Sequence, residues 1–378
     1  MPTVFGTAGN DTWSVVGGGT YVVDGLAGVD TLNLGTSTRN DYTIQQLADG
    51  GIQIDTISGA SSAFHATLYN MEKLVFNNGR DTLDLTLAFP AGINGTANDD
   101  NLIGTANADK ISGLAGNDTI TGAAGNDTID GGAGYDTIVF SGKLSNYTIS
   151  HSGNNYSVKA KTGSDGTDSV TNSESLKFSD MTVNLTIKTI AASAPIANVQ
   201  KVIELYVAFF KRVPDADGMA YWIGEMNAGK SINQIADAFY SAGLSFPDLT
   251  GFTPQLTNTD FVNLIYKNVL GRVDGADAGG MAYWTDQLAN GKATKGSLVT
   301  DILNAAHNFK GDPSFGWVAD LLDNKITVAR TFSIDMGLGY VLSSDAIQHG
   351  MEIAAAVTPT STSAAINLIG INATDIVL

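Results

Sequence analysis

The stretch GTANDDNLIGTANADKISGLAGNDTITGAAGNDTIDGGAGYDTIV, residues 95–139, decides the fold of this chain. An aspartate recurs in it every nine residues, and an apolar residue follows each aspartate by two positions. The aspartates are Asp100, Asp109, Asp118, Asp127 and Asp136, and the apolar residues are Leu102, Ile111, Ile120, Ile129 and Ile138.

Each nine-residue unit combines a turn with a strand. Its first six residues are rich in glycine, because such turns need positive φ angles that other residues reach only at a cost. Asn98 and Asn107 occupy one of the glycine positions and are predicted to share that conformation. The last three residues form a strand whose middle apolar side chain points inward.

Two such strands complete one coil of a parallel β-roll. Unit n is therefore predicted to stack on unit n+2 at the inter-strand spacing of about 4.8 Å. Asp100, Asp118 and Asp136 then line one edge, and Asp109 and Asp127 line the other. Carboxylates stacked so closely repel each other by about 3–4 kcal/mol per pair at an effective dielectric constant of about 20. The spacing thus predicts a cation between them.

Calcium is the predicted cation, because hard oxygen ligands suit it better than zinc or copper, and the run contains neither His nor Cys. Several ions are expected, bridging positions 100 and 118, 118 and 136, and 109 and 127. The alternative is that these aspartates are ordinary solvated turn residues. The predicted ligands are the five aspartates with the turn residues Gly95, Asn98, Gly104, Asn107, Gly113, Gly116, Gly122, Gly125, Gly131 and Gly134.

The units closely resemble the RTX nonapeptide GGxGxDxUx, a calcium-binding repeat. The resemblance implies a calcium-dependent β-roll in a protein exported by type I secretion machinery. The chain closes with Asp375, Ile376, Val377 and Leu378, which is similar to the C-terminal signal of such substrates. No charged and apolar leader opens the sequence, and no run of about 18 apolar residues appears. Neither a cleaved signal peptide nor a membrane span is expected.

The composition agrees with an extracellular protein. The 378 residues contain no cysteine, which excludes a disulfide framework and thiol chemistry. The formal net charge of −18 argues against nucleic acid and anionic membranes as partners, and favours divalent cations.

The β region contains a duplication. VDGLAGVDTLNL at 23–34 is echoed by IDGGAGYDTIVF at 129–140, and each copy continues into alternating strands and a closing strand, MEKLVF or SESLKF. One repeat-like unit with Asp11 precedes the first copy, and Asp30 lies within it. The spacing of these two aspartates is irregular, so they are candidates only for weaker metal sites.

The C-terminal part is predicted to be helical and also repeats itself. Val202, Leu205, Tyr206 and Phe209 fall at helical spacing. LYVAFFKRVPDADGMAYW at 205–222 matches IYKNVLGRVDGADAGGMAYW at 265–284. Residues 201–340 resemble a helical family of unassigned function, found beside RTX repeats and related to the anchoring region of some surface-layer proteins. Lys211 departs from the glycine usual in its motif.

No enzyme is expected. The four histidines lie far apart, and no HExxH, Gly-x-Ser-x-Gly or phosphate-binding loop appears. The pairs Asp215 with Asp217 and Asp274 with Asp277 fall in helix connections. They are read as helix caps, with a further calcium site or catalysis as the alternatives.

Polysaccharide binding is a second candidate activity. Its residues are Tyr221, Trp222, Tyr283, Trp284, Arg212 and Arg272. The bland alternative is that the tryptophans belong to the core and only the tyrosines are partly exposed. The surface-layer resemblance implies attachment to lipopolysaccharide O-chains.

The sequence thus predicts a multidomain β plus α protein, in which a parallel β-roll or β-solenoid with flanking β meanders is followed by an all-α domain. The leading hypothesis is an extracellular, calcium-dependent structural protein of the bacterial cell surface, most like a surface-layer subunit that self-assembles and attaches to polysaccharide. Alternatives are an adhesin or biofilm-matrix module without a lattice, and a carbohydrate-active enzyme. The predicted domains are a degenerate β region (1–91), the calcium roll (92–140), a meander (141–188), a linker (189–199), the helical repeats (200–345) and a secretion-signal region (346–378).

Overall fold

The computed structural model describes residues 3–15, 18–47, 51–57, 63–85, 92–372 and 374–378. The chain divides into two compact units, one of Met1–Asn94 with Gly104–Ser112 and one of Gly95–Ile103 with Gly113–Leu378. The predicted boundary between residues 91 and 92 adjoins residues 86–91, which lie outside the described residues.

Most strands are short, as the nine-residue period predicts. They are β1 Thr3–Phe5, β2 Thr12–Ser14, β3 Gly19–Asp24, β4 Thr31–Asn33, β5 Tyr42–Gln46, β6 Ile52–Thr56, β7 Phe64–Tyr69, β8 Lys73–Phe76, β9 Asp81–Asp84, β10 Ile93–Asn94, β11 Asn101–Ile103, β12 Lys110–Ser112, β13 Thr119–Thr121, β14 Thr128–Asp130, β15 Thr137–Val139, β16 Tyr147–Ser152, β17 Asn155–Ala160, β18 Thr167–Thr171, β19 Ser175–Lys177, β20 Met181–Asn184 and β21 Leu338–Tyr340.

Helices follow β20. They are α1 Ile187–Ala192, α2 Ile196–Phe210, α3 Ala216–Asn227, α4 Ile232–Gly243, α5 Pro247–Thr250, α6 Asn258–Asn268, α7 Ala278–Ala289, α8 Lys295–His307, α9 Gly316–Arg330, α10 Ser343–Ala355 and α11 Ser363–Ile369. A π-helical segment, Thr331–Asp335, continues α9.

Two sheets of the first unit lie within the described residues between 3 and 84. In one, β1, β3 and β7 pair in parallel, and β6 and β5 extend the sheet antiparallel. In the other, β2, β4 and β8 pair in parallel, and β9 is antiparallel. Leu32 aligns with Leu74, and both are buried. The inward side chains of both sheets form one core with Ile54, Leu68 and Phe76.

In the second unit, successive repeats stack as predicted. Leu102 aligns with Ile120, and Ile120 aligns with Ile138, so each repeat pairs in parallel with the second one along the chain. Leu176 of β19 continues the stack, and β20 and β21 follow antiparallel. Ile120, Ile138 and Leu176 are completely buried, which makes this apolar row the core of the roll.

The two meanders have the same strand order. In the first unit β3 pairs with β7 in parallel, and β6 and then β5 extend the sheet antiparallel beyond β7. In the second unit β14 pairs with β18 in parallel, and β17 and then β16 extend the sheet antiparallel beyond β18. The similar sequences of residues 23–34 and 129–140 are therefore each followed by a meander with the same strand order.

The helical prediction is confirmed for its first element. Val202, Leu205, Tyr206 and Phe209 all lie on the buried face of α2. The helix ends at Lys211, which adopts a left-handed conformation with φ of 55°. Gly271 has φ of 67° at the matching position of the second copy, so Lys211 accepts a backbone conformation that glycine reaches at lower cost.

The prediction of an all-α region was wrong in one place. β21, Leu338–Tyr340, pairs antiparallel with β20 and extends the sheet of the roll. Its backbone groups complete the hydrogen bonds of that sheet edge, which a helix cannot do. The predicted linker at 189–199 also differs, because α1 reaches Ala192 and α2 begins directly after Pro195.

The C-terminal residues pack on the second meander. Ile376 is buried and bridges to Ile149, whose N–H donates to the Asp375 carbonyl at 2.7 Å. Lys161 forms an ion pair of 2.9 Å with Asp375, and Lys188 donates to the carbonyl of Leu378 at 2.8 Å. Across the described residues, no helix has the length and apolar character that crossing a membrane requires.

Candidate metal centre

A ladder of acidic residues runs along one edge of the second unit. The N–H of Asp100 donates to Oδ1 of Asp118 at 2.8 Å, and the N–H of Asp118 donates to Oδ1 of Asp136 at 2.8 Å. The N–H of Asp136 donates to Oε2 of Glu174 at 2.8 Å, which ends the ladder. The structure therefore brings together the three aspartates predicted to share this edge, and adds Glu174.

The second carboxylate oxygens of this ladder are the candidate metal ligands. Oδ2 of Asp118 and Oδ2 of Asp136 are buried and have no hydrogen-bond partner among the described residues. A buried ionised oxygen without a partner costs several kcal/mol unless a cation or a proton compensates it. The arrangement fits a hard cation such as calcium, which binds carboxylate and carbonyl oxygens.

Glycine leaves the space that Oδ2 of Asp118 lines. A Cβ atom at Gly113 would lie 2.2 Å from Oδ2 of Asp118 and 2.2 Å from the carbonyl oxygen of Gly131. At Gly95 the carbonyl oxygen of Gly113 would lie 2.4 Å away and Oδ2 of Asp100 2.9 Å away. Side chains are excluded there, and carboxylate and carbonyl oxygens of neighbouring repeats converge instead.

Not every aspartate of the run has an unsatisfied oxygen. Oδ2 of Asp100 accepts from the N–H of Thr96 at 2.6 Å and from its hydroxyl at 2.9 Å. Asp109 accepts from the N–H and hydroxyl of Thr105 in the same way. A threonine directly after the first glycine therefore supplies two donors to the aspartate of its own repeat, which we call a threonine-capped repeat.

The turn conformation follows the same division. Leu114, Ala123 and Gly132, which stand where the capped repeats have threonine, have φ of 75°, 72° and 106°. Gly116, Gly125 and Gly134 also have positive φ, as predicted.

The prediction that Asn98 and Asn107 share the turn conformation of the glycine positions was wrong. Neither has positive φ. The physical reason is the threonine, whose hydroxyl accepts from the N–H of Asn98 at 3.2 Å in one repeat and of Asn107 at 3.1 Å in the other. The capped repeats thus form a different turn from the repeats without threonine.

The other edge contains an acidic residue that sequence reasoning missed. The N–H of Asp127 donates to Oδ1 of Asp168 at 2.8 Å, and Asp168 is 3% exposed. Burial raises the pKa of Asp168 to about 7, and the negative charges of Asp127 and Asp165 act in the same direction. Asp109 belongs to the first unit and Asp127 to the second, so the pairing of positions 109 and 127 stays a prediction.

Burial also raises the pKa of Asp136, and the charges of Asp118 and Glu174 add to that effect, while the N–H of Asp118 opposes it. Burial and neighbouring like charges both disfavour the ionised form, and a bound divalent cation reverses that preference. A cation bound beside these carboxylates would therefore favour their ionised form.

The first unit contains a shorter ladder. The N–H of Asp11 donates to Oδ1 of Asp30 at 2.8 Å, and the N–H of Asp30 donates to Oε2 of Glu72 at 2.6 Å. Oδ2 of Asp11 accepts from the N–H of Thr7 at 2.7 Å and from its hydroxyl at 2.9 Å, which makes its repeat threonine-capped. The two weaker candidates thus share one edge.

The acidic residues that the sequence analysis did not assign to the ladders share a sequence signal. Each is an acidic residue two positions before an inward apolar residue, as in the repeats themselves. The three cases are Glu72 before Leu74, Asp168 before Val170 and Glu174 before Leu176.

Within the described residues, no group of three or more His, Asp or Glu side chains converges as a metal site. Each repeat contributes one carboxylate to an edge, so main-chain carbonyls have to supply the other oxygens.

The candidate glycan residues separate into two places. Tyr266, Arg272, Tyr283 and Trp284 line a cleft of about 340 Å³ in the second helical copy. Arg212 lines a different cleft, of about 370 Å³, in which Tyr340 takes part. Tyr221 is not among the residues that line either cleft.

The tryptophans serve the core more than the surface. Trp284 is 9% exposed and donates from Nε1 to the hydroxyl of Tyr266 at 2.9 Å, and Trp222 packs on Phe239 with ring centroids 4.9 Å apart. Tyr221 and Tyr283 are 58% and 56% exposed. The aromatic pairs thus expose their tyrosines.

The arginines and aspartates of these motifs are held by local contacts. Arg212 forms an ion pair of 3.1 Å with Asp215, and Arg272 one of 3.6 Å with Asp277. Asp215 accepts from the N–H of Gly218 at 2.6 Å, and Asp277 from that of Gly280 at 2.9 Å. The capping interpretation is confirmed for these two aspartates.

Asp217 and Asp274 do not join the caps. Asp217 accepts from the amide of Asn184 at 2.8 Å, and Asp274 is exposed.

Comparisons with known proteins identify two segments. Residues 94–128 and 103–138 match the family described as RTX calcium-binding nonapeptide repeat (4 copies). Residues 250–311 match the family described as domain of unknown function (DUF4214). Comparison with curated protein sequences finds no match.

Among solved structures, the chain is similar to the extracellular lipase LipA from Serratia marcescens, with 15% identity and a TM-score of 0.17. The match covers 45% of this chain and 37% of the lipase chain, and at that TM-score it carries no argument about this protein. The chain carries RTX calcium-binding repeats at 94–138, followed by a helical region with a DUF4214 segment at 250–311.

Proposed function

We propose that this chain is a secreted, calcium-dependent structural protein of the bacterial cell surface, most like a surface-layer subunit. The observation that carries the proposal is the pair of buried Oδ2 atoms of Asp118 and Asp136, of which that of Asp118 faces the space left by Gly113. Calcium in that space converts a repulsive ladder into a stabilising one.

Calcium couples folding to export in this proposal. Free calcium in the cytosol is too low to fill extracellular-type sites, whose dissociation constants are on the order of 10⁻⁴ M. The roll therefore stays unstructured while it passes a type I channel. Outside the cell, the free energy of calcium binding becomes free energy of folding.

Circular dichroism and hydrogen exchange of the whole protein test this step. In excess chelator the amides of residues 101–139 are expected to exchange without protection, and millimolar calcium is expected to protect them. Magnesium at the same concentration is the control. A fully protected roll in chelator would contradict the proposal.

Assembly is the second part of the proposal, and its support is the acidic character of the chain, with a net charge of −18. Copies that repel each other in chelator associate when calcium neutralises their edges, as mass action on the folded state requires. Light scattering and electron microscopy with and without calcium test it. Strictly monomeric protein at high concentration in calcium would remove assembly from the proposal.

Attachment to lipopolysaccharide or another surface polysaccharide is the third part, and it rests on the resemblance of the helical region to surface-layer anchoring regions. The cleft that contains Arg272, Tyr283 and Trp284 supports it, because the exposed ring of Tyr283 beside a charged group suits sugars. Co-sedimentation with purified polysaccharide, with Tyr283→Ala as variant and Tyr221→Ala as control, tests this cleft.

A soluble adhesin or biofilm-matrix protein is the second candidate function, and the same cleft favours it. Polysaccharide binding without a lattice in electron micrographs would select it. Neither candidate involves catalysis. Hydrolysis of esters or glycans by the purified protein would contradict both.

A further inference from the structure

We propose that the outer edge of β5 is an interface at which two copies of this chain pair strand to strand. The two β5 strands, Tyr42–Gln46 in each copy, lie antiparallel about a twofold axis at Ile44, so that two sheets become one continuous sheet. The inference deepens the assembly part of the proposed function and rests on it for its biological role. Strand pairing is nevertheless measured separately from lattice formation.

β5 is the last strand of its sheet. Among the described residues the strand order is β1, β3, β7, β6, β5, so β5 has its one partner strand, β6, on one side. The N–H of Ile57 donates to the carbonyl of Asp41. The N–H of Leu47 donates to the carbonyl of Gly51. Because hydrogen-bonded positions alternate along an antiparallel pair, Ile44 directs its N–H and its carbonyl away from β6.

β16 is the matching edge strand of the second meander. The sequence Tyr-Thr-Ile stands at 42–44 and at 147–149, and a single 3-10 turn precedes each strand. Ile44 aligns with Ile54 of β6, and Ile149 aligns with Val158 of β17. In both copies the residue before the tyrosine accepts the first N–H beyond the neighbouring strand. Ile44 and Ile149 therefore occupy equivalent positions and direct their main-chain groups the same way.

An extended segment covers the edge of β16. The N–H of Ile149 donates to the carbonyl of Asp375 at 2.7 Å, and its carbonyl accepts from the N–H of Val377 at 2.9 Å. Ile376 bridges to Ile149, and both side chains are buried. The outward main-chain groups at this position thus bind an added strand, which also covers the apolar side chain between them.

The edge of β5 shows what is left when that strand is missing. Tyr147 and Ile149 are 4% and 1% exposed, whereas Tyr42 and Ile44 are only partly buried against the core of the first unit. An unpaired donor, an unpaired acceptor and partly exposed apolar side chains therefore occur together on one strand edge. An added strand beside β5 would satisfy all of them.

A second copy is the partner that this edge fits. The five residues of β5 include neither a charged residue nor a proline, which are the means by which edge strands commonly prevent pairing. The whole chain has a net charge of −18, so two copies repel each other least where both surfaces are uncharged. A twofold axis at Ile44 joins each N–H of that residue to the carbonyl of the other copy, and overlaps both strands over their full length.

Cysteine cross-linking tests the pairing and its register, because the chain contains no cysteine of its own. Thr43 and Gln45 are exposed, and the twofold axis places Thr43 of one copy opposite Gln45 of the other. Their Cα atoms then lie about 4.5 Å apart, a separation that a disulfide bridges. An equimolar mixture of Thr43→Cys and Gln45→Cys is expected to give several times more disulfide-linked dimer than either variant alone. Each variant alone is the matched control, because like positions lie about 7–8 Å apart.

A charge on the edge provides a second test. Thr43→Lys places a lysine on the open strand, and it is expected to raise the dissociation constant of the dimer by about tenfold in sedimentation equilibrium with calcium. Thr20→Lys is the matched control, because Thr20 is exposed on β3, an inner strand of the same sheet, and the change in net charge is equal. The control is expected to associate as the wild type does.

The outcomes separate this inference from the proposed function. A lattice or filament in calcium without the mixed disulfide overturns the pairing of β5 and leaves assembly to another surface. A mixed disulfide in a protein that forms no lattice supports the pairing and removes the lattice. A disulfide between Gln45→Cys and Val377→Cys in its place assigns the edge to residues 375–378 of a second copy and overturns the pairing of β5 with itself. Should Thr43→Lys not fold, the cysteine mixture decides.

Discussion

The two meanders share one topology but differ at one edge. In the second unit Asp127 donates its N–H to Asp168, so that edge contains two buried carboxylates. At the matching register of the first unit Tyr21 aligns with Ala66, and Tyr21 packs against Phe64 with ring centroids 5.7 Å apart. One copy thus replaces acidic residues by apolar packing, so the same backbone can be stabilised in two ways.

Removal of calcium is expected to have the largest effect, and to affect the copies unequally. In chelator the buried carboxylates of Asp118, Asp136 and Asp168 in the second unit have no cation to compensate them, and among the described residues of the first unit the same holds for Asp30. Breaking a buried charge pair costs about 3–5 kcal/mol. Hydrogen exchange should therefore show a larger loss of protection in residues 128–171 than in 19–69. Equal losses of protection in the two segments would mean that the apolar packing at the edge of the first meander does not stabilise it when calcium is removed.

Glycine substitutions distinguish the two turn types. A Cβ atom at Gly28, with φ of 134°, would lie 2.6 Å from the carbonyl oxygen of Gly9, whereas one at Gly9 would meet nothing closer than 3.7 Å. Gly28→Ala is expected to destabilise the first unit by about 1–3 kcal/mol and Gly9→Ala by about 0.5 kcal/mol or less. Urea unfolding in calcium measures both. If Gly28→Ala does not lower the free energy of unfolding, the two turn types do not differ as described.

Asp168→Asn is expected to make the second meander depend less on calcium, and so to resemble the first meander in this respect. The amide oxygen still accepts from Asp127, and a buried charge disappears. In chelator the second unit should gain on the order of 1–2 kcal/mol, because a buried carboxylate that the charges of Asp127 and Asp165 disfavour is replaced by a neutral amide. Thermal unfolding in chelator tests this, with Asp274→Asn as the exposed control. A loss of stability in chelator would contradict the reading of this edge.

The smallest effect is expected at a pair found only in the first copy. Asp55 contacts His65, while the matching positions Lys159 and Thr167 cannot form such a pair. Burial raises the pKa of Asp55, but hydrogen bonds from Gln53 and His65 outweigh it and hold the pKa below its ordinary value of 3.8. Stability from a lowered pKa is present above the unfolded-state value and disappears as the pH falls through the folded-state value.

Asp55→Asn should therefore destabilise by about 0.5 kcal/mol near pH 6, where exposed ion pairs contribute little, and have no effect near pH 2. Thermal unfolding of wild type and variant across that range measures it. A difference that persists at pH 2 would assign the effect to packing.

The nine-residue spacing was sufficient to predict the stack of repeats. Because an inward residue recurs at one position of each unit, Leu102, Ile120 and Ile138 had to align once two strands made a coil. The helical face of α2 followed equally from the spacing of Val202 and Phe209. These features are local or strictly periodic, which is why they can be read from the chain.

Partners that arrive from distant segments could not be read in this way. Glu174 lies 38 positions after Asp136, and its place at the end of the ladder depends on the length of the meander between them. Thr96 and Thr105 were visible beside the aspartates, but their role emerged only from the donors they supply. Lys211 and β21 likewise depend on tertiary packing that no local pattern encodes.

The ladder of the roll has a direction. Each aspartate gives its N–H to the carboxylate of the acid that comes later in the chain, from Asp100 through Asp118 and Asp136 to Glu174. The two ends of the ladder therefore differ: the Asp100 carboxylate accepts from Thr96 of its own repeat, whereas Glu174 is an acceptor brought from beyond the repeats. Loss of the Glu174 carboxylate would leave the N–H of Asp136 without its acceptor, so the end of the repeat stack depends on a residue that the repeats do not contain.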